Sequence, residues 1–109
     1  MGTSQHISQR IDRNPVEVYI FAANVENLPR WASGVGPDME IRFAKQNYFG
    51  ILDHWVTVGG QTFYNPMRVI EDGKGSEVVF TLRDGSDEDA ATIAADLATL
   101  KRILEEGAG

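Results

Sequence analysis

Between Phe49 and Arg83 the chain reads FGILDHWVTVGGQTFYNPMRVIEDGKGSEVVFTLR, alternating segments punctuated by two glycine-rich turns. Gly59-Gly60 suits a two-residue hairpin, because glycine tolerates the positive φ that such turns require. Asp72-Gly73-Lys74-Gly75 has similar chemistry in a longer loop. Register follows from the turns. Val58 is expected opposite Gln61, which places Val56 opposite Phe63, His54 opposite Asn65 and Leu52 opposite Met67. From the second turn, Glu71 faces Ser76, Val69 faces Val78 and Met67 faces Phe80. Residues opposite each other share a face. One face therefore collects Leu52, His54, Val56, Val58, Phe63, Asn65, Met67, Val69, Val78, Phe80 and Leu82. The other collects Asp53, Trp55, Thr57, Tyr64, Arg68, Glu77, Val79, Thr81 and Arg83. The first face is apolar enough to be core, and both turns sort the residues the same way.

The flanking segments supply further elements. Residues 1–5 read as a loose terminus, and His6 to Asp12 alternates as a first strand. Asn14-Pro15-Val16-Glu17 carries helix-start chemistry: a cap, a proline suited to the first helical position, and a glutamate that completes a capping box. This helix runs to about Ala23 and is expected to turn Val18, Tyr19 and Ala22 inward. Asn24 to Ser33 reads as a second short helix, interrupted by Pro29 and carrying Trp31. Met39 to Lys45 alternates as a fourth strand of the meander. A turn at Asn47-Tyr48 would set Phe43 opposite Leu52, Ile41 opposite His54 and Met39 opposite Val56. Ser86 then caps a final helix over Asp87 to Glu106, with acids at its positive end. Its Ile93, Leu97, Leu100 and Leu104 form one apolar stripe, and Gly107 is the stop signal. At ~1.5 Å per residue such a helix is about 30 Å long and can cross the whole sheet.

A chain of 109 residues makes a single domain over 1–109 with one modest core. No apolar run approaches the length of a membrane span. The first twenty residues are polar and broken by Pro15, unlike a signal peptide. Cysteine is absent, which excludes disulfides and thiolate metal sites and points to the cytoplasm. The net charge of −6, with no basic cluster against it, argues against nucleic acid as a partner. Gly73-Lys74-Gly75-Ser76 is not a phosphate-binding loop, because the upstream glycine is missing and a strand follows it. His6 and His54 fall on opposite faces, so no histidine metal site is expected. Nothing calls for a cofactor.

The order strand, two short helices, antiparallel meander and long C-terminal helix resembles the α+β helix-grip fold of the START-like superfamily. The FGILDH, NPMRV and GSEVVFTLR pieces, with PVEVY, NLPRW and DLATLK, are similar to bacterial polyketide cyclase/dehydrase-like proteins of the SRPBCC group. The resemblance covers nearly the whole chain. It implies a curved antiparallel sheet wrapped around the long helix, with a hydrophobic cavity between them. It implies as function the binding of a small hydrophobic ligand such as a lipid or polyketide. Cyclase or dehydratase chemistry and a protein-interaction role are the alternatives. Relatives usually carry one more strand pair where only Gly34 to Asp38 intervenes here. Its loss would leave an exposed edge. The expectation is therefore a homodimer through that edge, or a shallow, open groove.

His54 opposite Asn65 is the sharpest candidate site, a polar spot within an apolar face. The imidazole is the natural acid/base group, and a ligand carbonyl or hydroxyl could partner either residue. The competing interpretation is an ordinary core pair whose members satisfy each other. Trp31, Tyr19, Met39, Phe63, Met67 and Phe80 are expected to line a pocket, or else to be plain core. Ala90 and Ala94 flank the helix stripe and would leave room above the sheet. Asp53 and Arg68 fall on the outer face as a surface pair of small energetic weight. Trp55 opposite Tyr64 on that face would stabilise the hairpin or centre a partner interface.

Overall fold

The computed structural model describes residues 3–107; Met1 and Gly2 of the expected loose terminus lie outside them. β1 (Ser4–Ile11) begins earlier than the alternation indicated. It leads into α1 (Pro15–Ala23), whose Asn14 cap accepts a hydrogen bond from the Glu17 N–H at 2.9 Å. The reciprocal half of the expected capping box is missing, because the Glu17 carboxylate pairs with Arg13 at 3.6 Å instead. A 3-10 turn (Val25–Asn27) precedes α2 (Leu28–Trp31), which is only one turn long. Val18, Phe21, Ala22, Leu28 and Trp31 are buried, while Tyr19 is only half-buried.

The strands are β2 (Glu40–Phe43), β3 (His54–Val58), β4 (Gln61–Asn65), β5 (Met67–Asp72) and β6 (Gly75–Arg83). They form two antiparallel three-stranded sheets, ordered β1-β6-β5 and β2-β3-β4. Both hairpin registers are as expected: His54 faces Asn65, Val56 faces Phe63, and Met67 faces Phe80. Gly59 and Gly60 both have positive φ, as a primed two-residue turn demands. The β2 register differs from expectation by two residues. Phe43 lies opposite His54 and Ile41 opposite Val56. The connection is not a tight turn at Asn47-Tyr48 but a loop organised by the Asn47 side chain. That side chain accepts from the Phe49 and Ile51 N–H groups and donates to the Lys45 and Ile51 carbonyls. An even shift keeps the same side chains on the inner face, so the core pattern survives.

The break between the sheets has a local cause. Pro66 separates β4 from β5 and has no N–H for a ladder bond. The pairing nevertheless continues across it, through an Ile51–Arg68 bridge and a Leu52 N–H to Met67 carbonyl bond of 2.9 Å. The return bond, Met67 N–H to the Leu52 carbonyl, is replaced by side chains. Met67 N–H donates to Asp53 Oδ1 at 2.9 Å, and the Leu52 carbonyl lies 3.0 Å from His54 Nδ1. Both backbone groups stay satisfied while the sheet bends.

The last helix, α3 (Asp87–Glu105), opens with a full capping box between Ser86 and Asp89. It ends just before Gly107, whose φ is +74°. Leu97, Leu100, Ile103 and Leu104 are buried, joined by partly buried Ile93. α3 packs chiefly along β1, with α2 and β6 as further neighbours. Asp12 N–H and Arg13 both bond to Glu105, fastening the end of β1 to the end of α3. Ile11, Val18, Leu52, Met67 and Val78 complete the core. Each such side chain stabilises the fold by roughly 1.5–3 kcal/mol relative to exposure. No described helix is long and apolar enough to cross a membrane.

Candidate functional site

The inner faces of β3, β4 and β6, the α2 turn and the first half of α3 enclose a half-open cavity of about 800 Å³. Its apolar wall includes Trp31, Met39, Ile41, Val56, Phe63 and Phe80. His54 and Asn65 lie in the same wall. Six of the eight expected pocket residues are therefore brought together: His54, Asn65, Trp31, Met39, Phe63 and Phe80. Tyr19 and Met67 are not among the lining residues. The Tyr19 hydroxyl instead accepts from Asn47 N–H at 3.2 Å and braces the loop. Met67 is 1% exposed, inside the core at the sheet break. Ala90 and Ala94 do not line the cavity either, and Ala94 faces solvent. Phe63 remains 49% exposed although it is on the inner face, because the cavity it lines is open.

His54 is held firmly. It is 7% exposed, and its ring sits between Phe43 (centroids 5.1 Å apart) and Phe80 (5.9 Å). A carbonyl can only accept, so the contact with the Leu52 oxygen places a hydrogen on Nδ1. Burial pushes the imidazole below its ordinary pKa of 6.5, against the opposing pull of the Leu52 carbonyl and the Asp53 carboxylate. The ring is therefore neutral near pH 7. Nε2 is then a bare acceptor, with no partner among the described residues. The simple core pair, in which His54 and Asn65 satisfy each other, is not what the fold builds. Trp31, 6% exposed, keeps an Nε1–H that is buried and also has no partner.

On the opposite side of β3, Asp53 is not the surface residue that its outer-face position implied. It is buried, and it accepts from the Tyr64 hydroxyl at 2.6 Å, from Met67 N–H and from the Arg68 guanidinium. Burial acts to raise its pKa, yet the bonds from Tyr64 and Met67 and the charge of Arg68 outweigh it and hold the carboxyl below 3.8. The same bond raises the Tyr64 phenol above 10.0. Tyr64 also stacks on Trp55 (centroids 5.3 Å apart), and Arg42 lies 4.8 Å above the Trp55 ring. Asp53, Trp55, Arg42 and Arg68 are not among the cavity-lining residues, whereas Tyr64 is.

The mouth of the cavity was not foreseen. Asp84, Asp89 and Asp96 line it, together with Arg83. Helical periodicity could have found Asp96, which is three residues beyond Ile93 and beside the apolar stripe. Asp84 is reached only by tertiary pairing, since its carboxylate accepts from Thr3 N–H.

No family model matches the sequence, and no curated protein matches it. Solved structures do. CalU16 from Micromonospora echinospora superposes with a TM-score of 0.69 at 15% identity, covering 94% of this chain and 74% of that one. The Mll3558 protein from Rhizobium loti gives 0.64 at 14% identity, over 94% and 96% of the two chains. An AHSA1-like protein from Rhizobium etli gives 0.63 at 14% identity, over 94% and 82%. At these identities the likeness is one of fold.

Proposed function

From a chain with the helix-grip fold of the START-like (SRPBCC) superfamily, we propose that its cavity binds a small hydrophobic molecule, lipid or polyketide-like. The observation that carries this reading is the neutral, buried His54 set in an apolar cavity with Nε2 unpartnered. An apolar wall alone is ordinary core chemistry. An unpartnered acceptor within it favours a ligand that brings a hydroxyl or amide donor. Asn65, opposite His54, supplies the second polar anchor. Absence of cysteine fits a reducing compartment such as the cytoplasm.

The test is a heteronuclear NMR titration with fatty acids, steroids and aromatic polyketide analogues. Shifts are expected at His54, Asn65 and Phe80, and much smaller ones at Met67. If no compound moves the cavity residues, the reading fails.

A cyclase or dehydratase is the second reading, and one observation favours it. A neutral imidazole with a free Nε2 is the form a general base requires. Turnover of a polyketide analogue that His54→Ala abolishes, with binding retained, would establish it over simple binding.

A further inference from the structure

The cavity has an electrostatic character that its apolar lining does not reveal. Its side chains include three aspartates, Asp84, Asp89 and Asp96, against a single arginine, Arg83. Two of the carboxylates already have structural duties. Asp84 Oδ1 accepts from Thr3 N–H at 2.8 Å, and Asp89 Oδ2 completes the α3 capping box with Ser86. Asp96 has none. It is half-buried on α3, between Ile93 and Leu97 of the cavity wall, with no hydrogen bond or ion pair among the described residues. Among the described residues Arg83 forms no ion pair with any of the three carboxylates. A half-buried carboxylate beside apolar surface gains from a counter-ion held against it.

His54, in the same lining, agrees with this asymmetry. His54 is nine-tenths buried and presents a bare acceptor at Nε2, while the protein itself leaves it without a donor. The Trp31 Nε1–H, the other unpartnered polar group, is itself sealed from the cavity and takes no part in this selection. With a net charge of −6 over the whole chain, the long-range field also repels anions from the mouth. A fatty acid carboxylate would meet three aspartates there, Asp96, Asp89 and Asp84, against the single guanidinium of Arg83.

Resting on the binding role proposed above, we infer that the cavity selects a cationic amphiphile: an apolar ring body that ends in a protonated amine seated against Asp96. The ring body occupies the space lined by Met39, Val56 and Phe80. A hydroxyl or other donor on it meets His54 Nε2. Asp89 and Asp84 extend the negative rim and speed capture of the amine. Carboxylates of the same shape are disfavoured at the same place.

The experiment compares three probes with one hydrocarbon body: 2-naphthylmethylamine, 2-naphthylmethanol and 2-naphthoate. Each is titrated into the intact protein at low salt and followed by NMR shifts. The amine is expected to bind about tenfold more tightly than the alcohol, and the carboxylate most weakly. Asp96→Asn should erase the amine's advantage, and an unchanged dispersion of the backbone amide resonances shows that the variant is folded. Added salt should narrow the amine–alcohol gap. Equal binding of amine and alcohol, or tighter binding of the carboxylate, overturns the charge selection while leaving the binding role intact. Failure of all three probes overturns both.

Discussion

At the scale of single residues, His54 and Asp53 are neighbours in sequence that perform opposite tasks. Strand alternation sends His54 into the cavity and Asp53 to the other face. Each also takes one backbone group that the Pro66 break would otherwise strand. Their pH effects have the same sign but occupy different windows. His54 has a folded pKa below 6.5, so the unfolded chain takes up the proton first. Its stabilising contribution is whole above 6.5 and declines as pH falls below it. Asp53 is held below 3.8, so its contribution is whole above 3.8 and is lost at more acid pH. Urea unfolding at about pH 7.5 and about pH 5.5 should show the protein weakening in that interval, and His54→Phe should flatten the difference. An unchanged slope in the variant would mean that His54 is not the titrating group. Asp53→Asn should cost about 1–3 kcal/mol at neutral pH, since it unpairs Arg68 and weakens the bonds from Tyr64 and Met67. A double-mutant cycle with Arg68→Ala separates the ion pair from the other two bonds.

At the scale of elements, the loop between β2 and β3 carries the most geometry per residue. Gly50 has φ +72°, and its carbonyl accepts from Val69 N–H at 2.8 Å. A Cβ there would lie 2.3 Å from the Val69 carbonyl oxygen. Gly34, in contrast, has open space around it. Gly50→Ala should therefore cost roughly 1–3 kcal/mol or more, while Gly34→Ala changes stability little. Comparing their thermal midpoints checks this, and equal effects would mean that the loop yields freely. The same loop explains why the β2 register escaped sequence reasoning. Asn47 looks like a turn residue, and a two-residue turn was the natural inference. Its side chain organises a longer connection instead, through bonds to Phe49 and Ile51 that no local pattern announces. The hairpin at Gly59-Gly60 was legible because consecutive glycines encode a backbone conformation directly.

At the scale of the whole molecule, the two sheets meet at the Pro66 break, and the cavity opens between the β2-β3-β4 sheet and α3. The expectation of a missing strand pair had offered two outcomes, an edge-paired dimer or an open groove. The cavity is open. β2 is one end of its sheet, four residues long, with Glu40 and Arg42 exposed. A short, charged edge resists pairing with another chain. Sedimentation velocity should accordingly give a monomer whose coefficient does not change with concentration. A dimer that dissociates on dilution, and that Ile41→Pro prevents, would show the edge to be an interface.

Periodicity and turn chemistry were enough to determine the strands, their faces, the two hairpin registers and the capped final helix, because each depends on residues close together in the chain. His54 and Asn65 could be paired for the same reason, both lying within one hairpin. The tertiary structure decided the rest. Tyr19 and Met67 share the apolar character of the lining residues, yet packing turns one to a loop and seals the other in the core. Asp53 has the position of a surface residue and the environment of a buried one, because Tyr64, Met67 and Arg68 converge on it across β4 and β5. Asp84, just past the end of β6, and Asp96, on α3, come to line one cavity only once α3 has packed against the sheet. Local rules carry no information about such meetings, since they depend on the angle and depth at which the layers close.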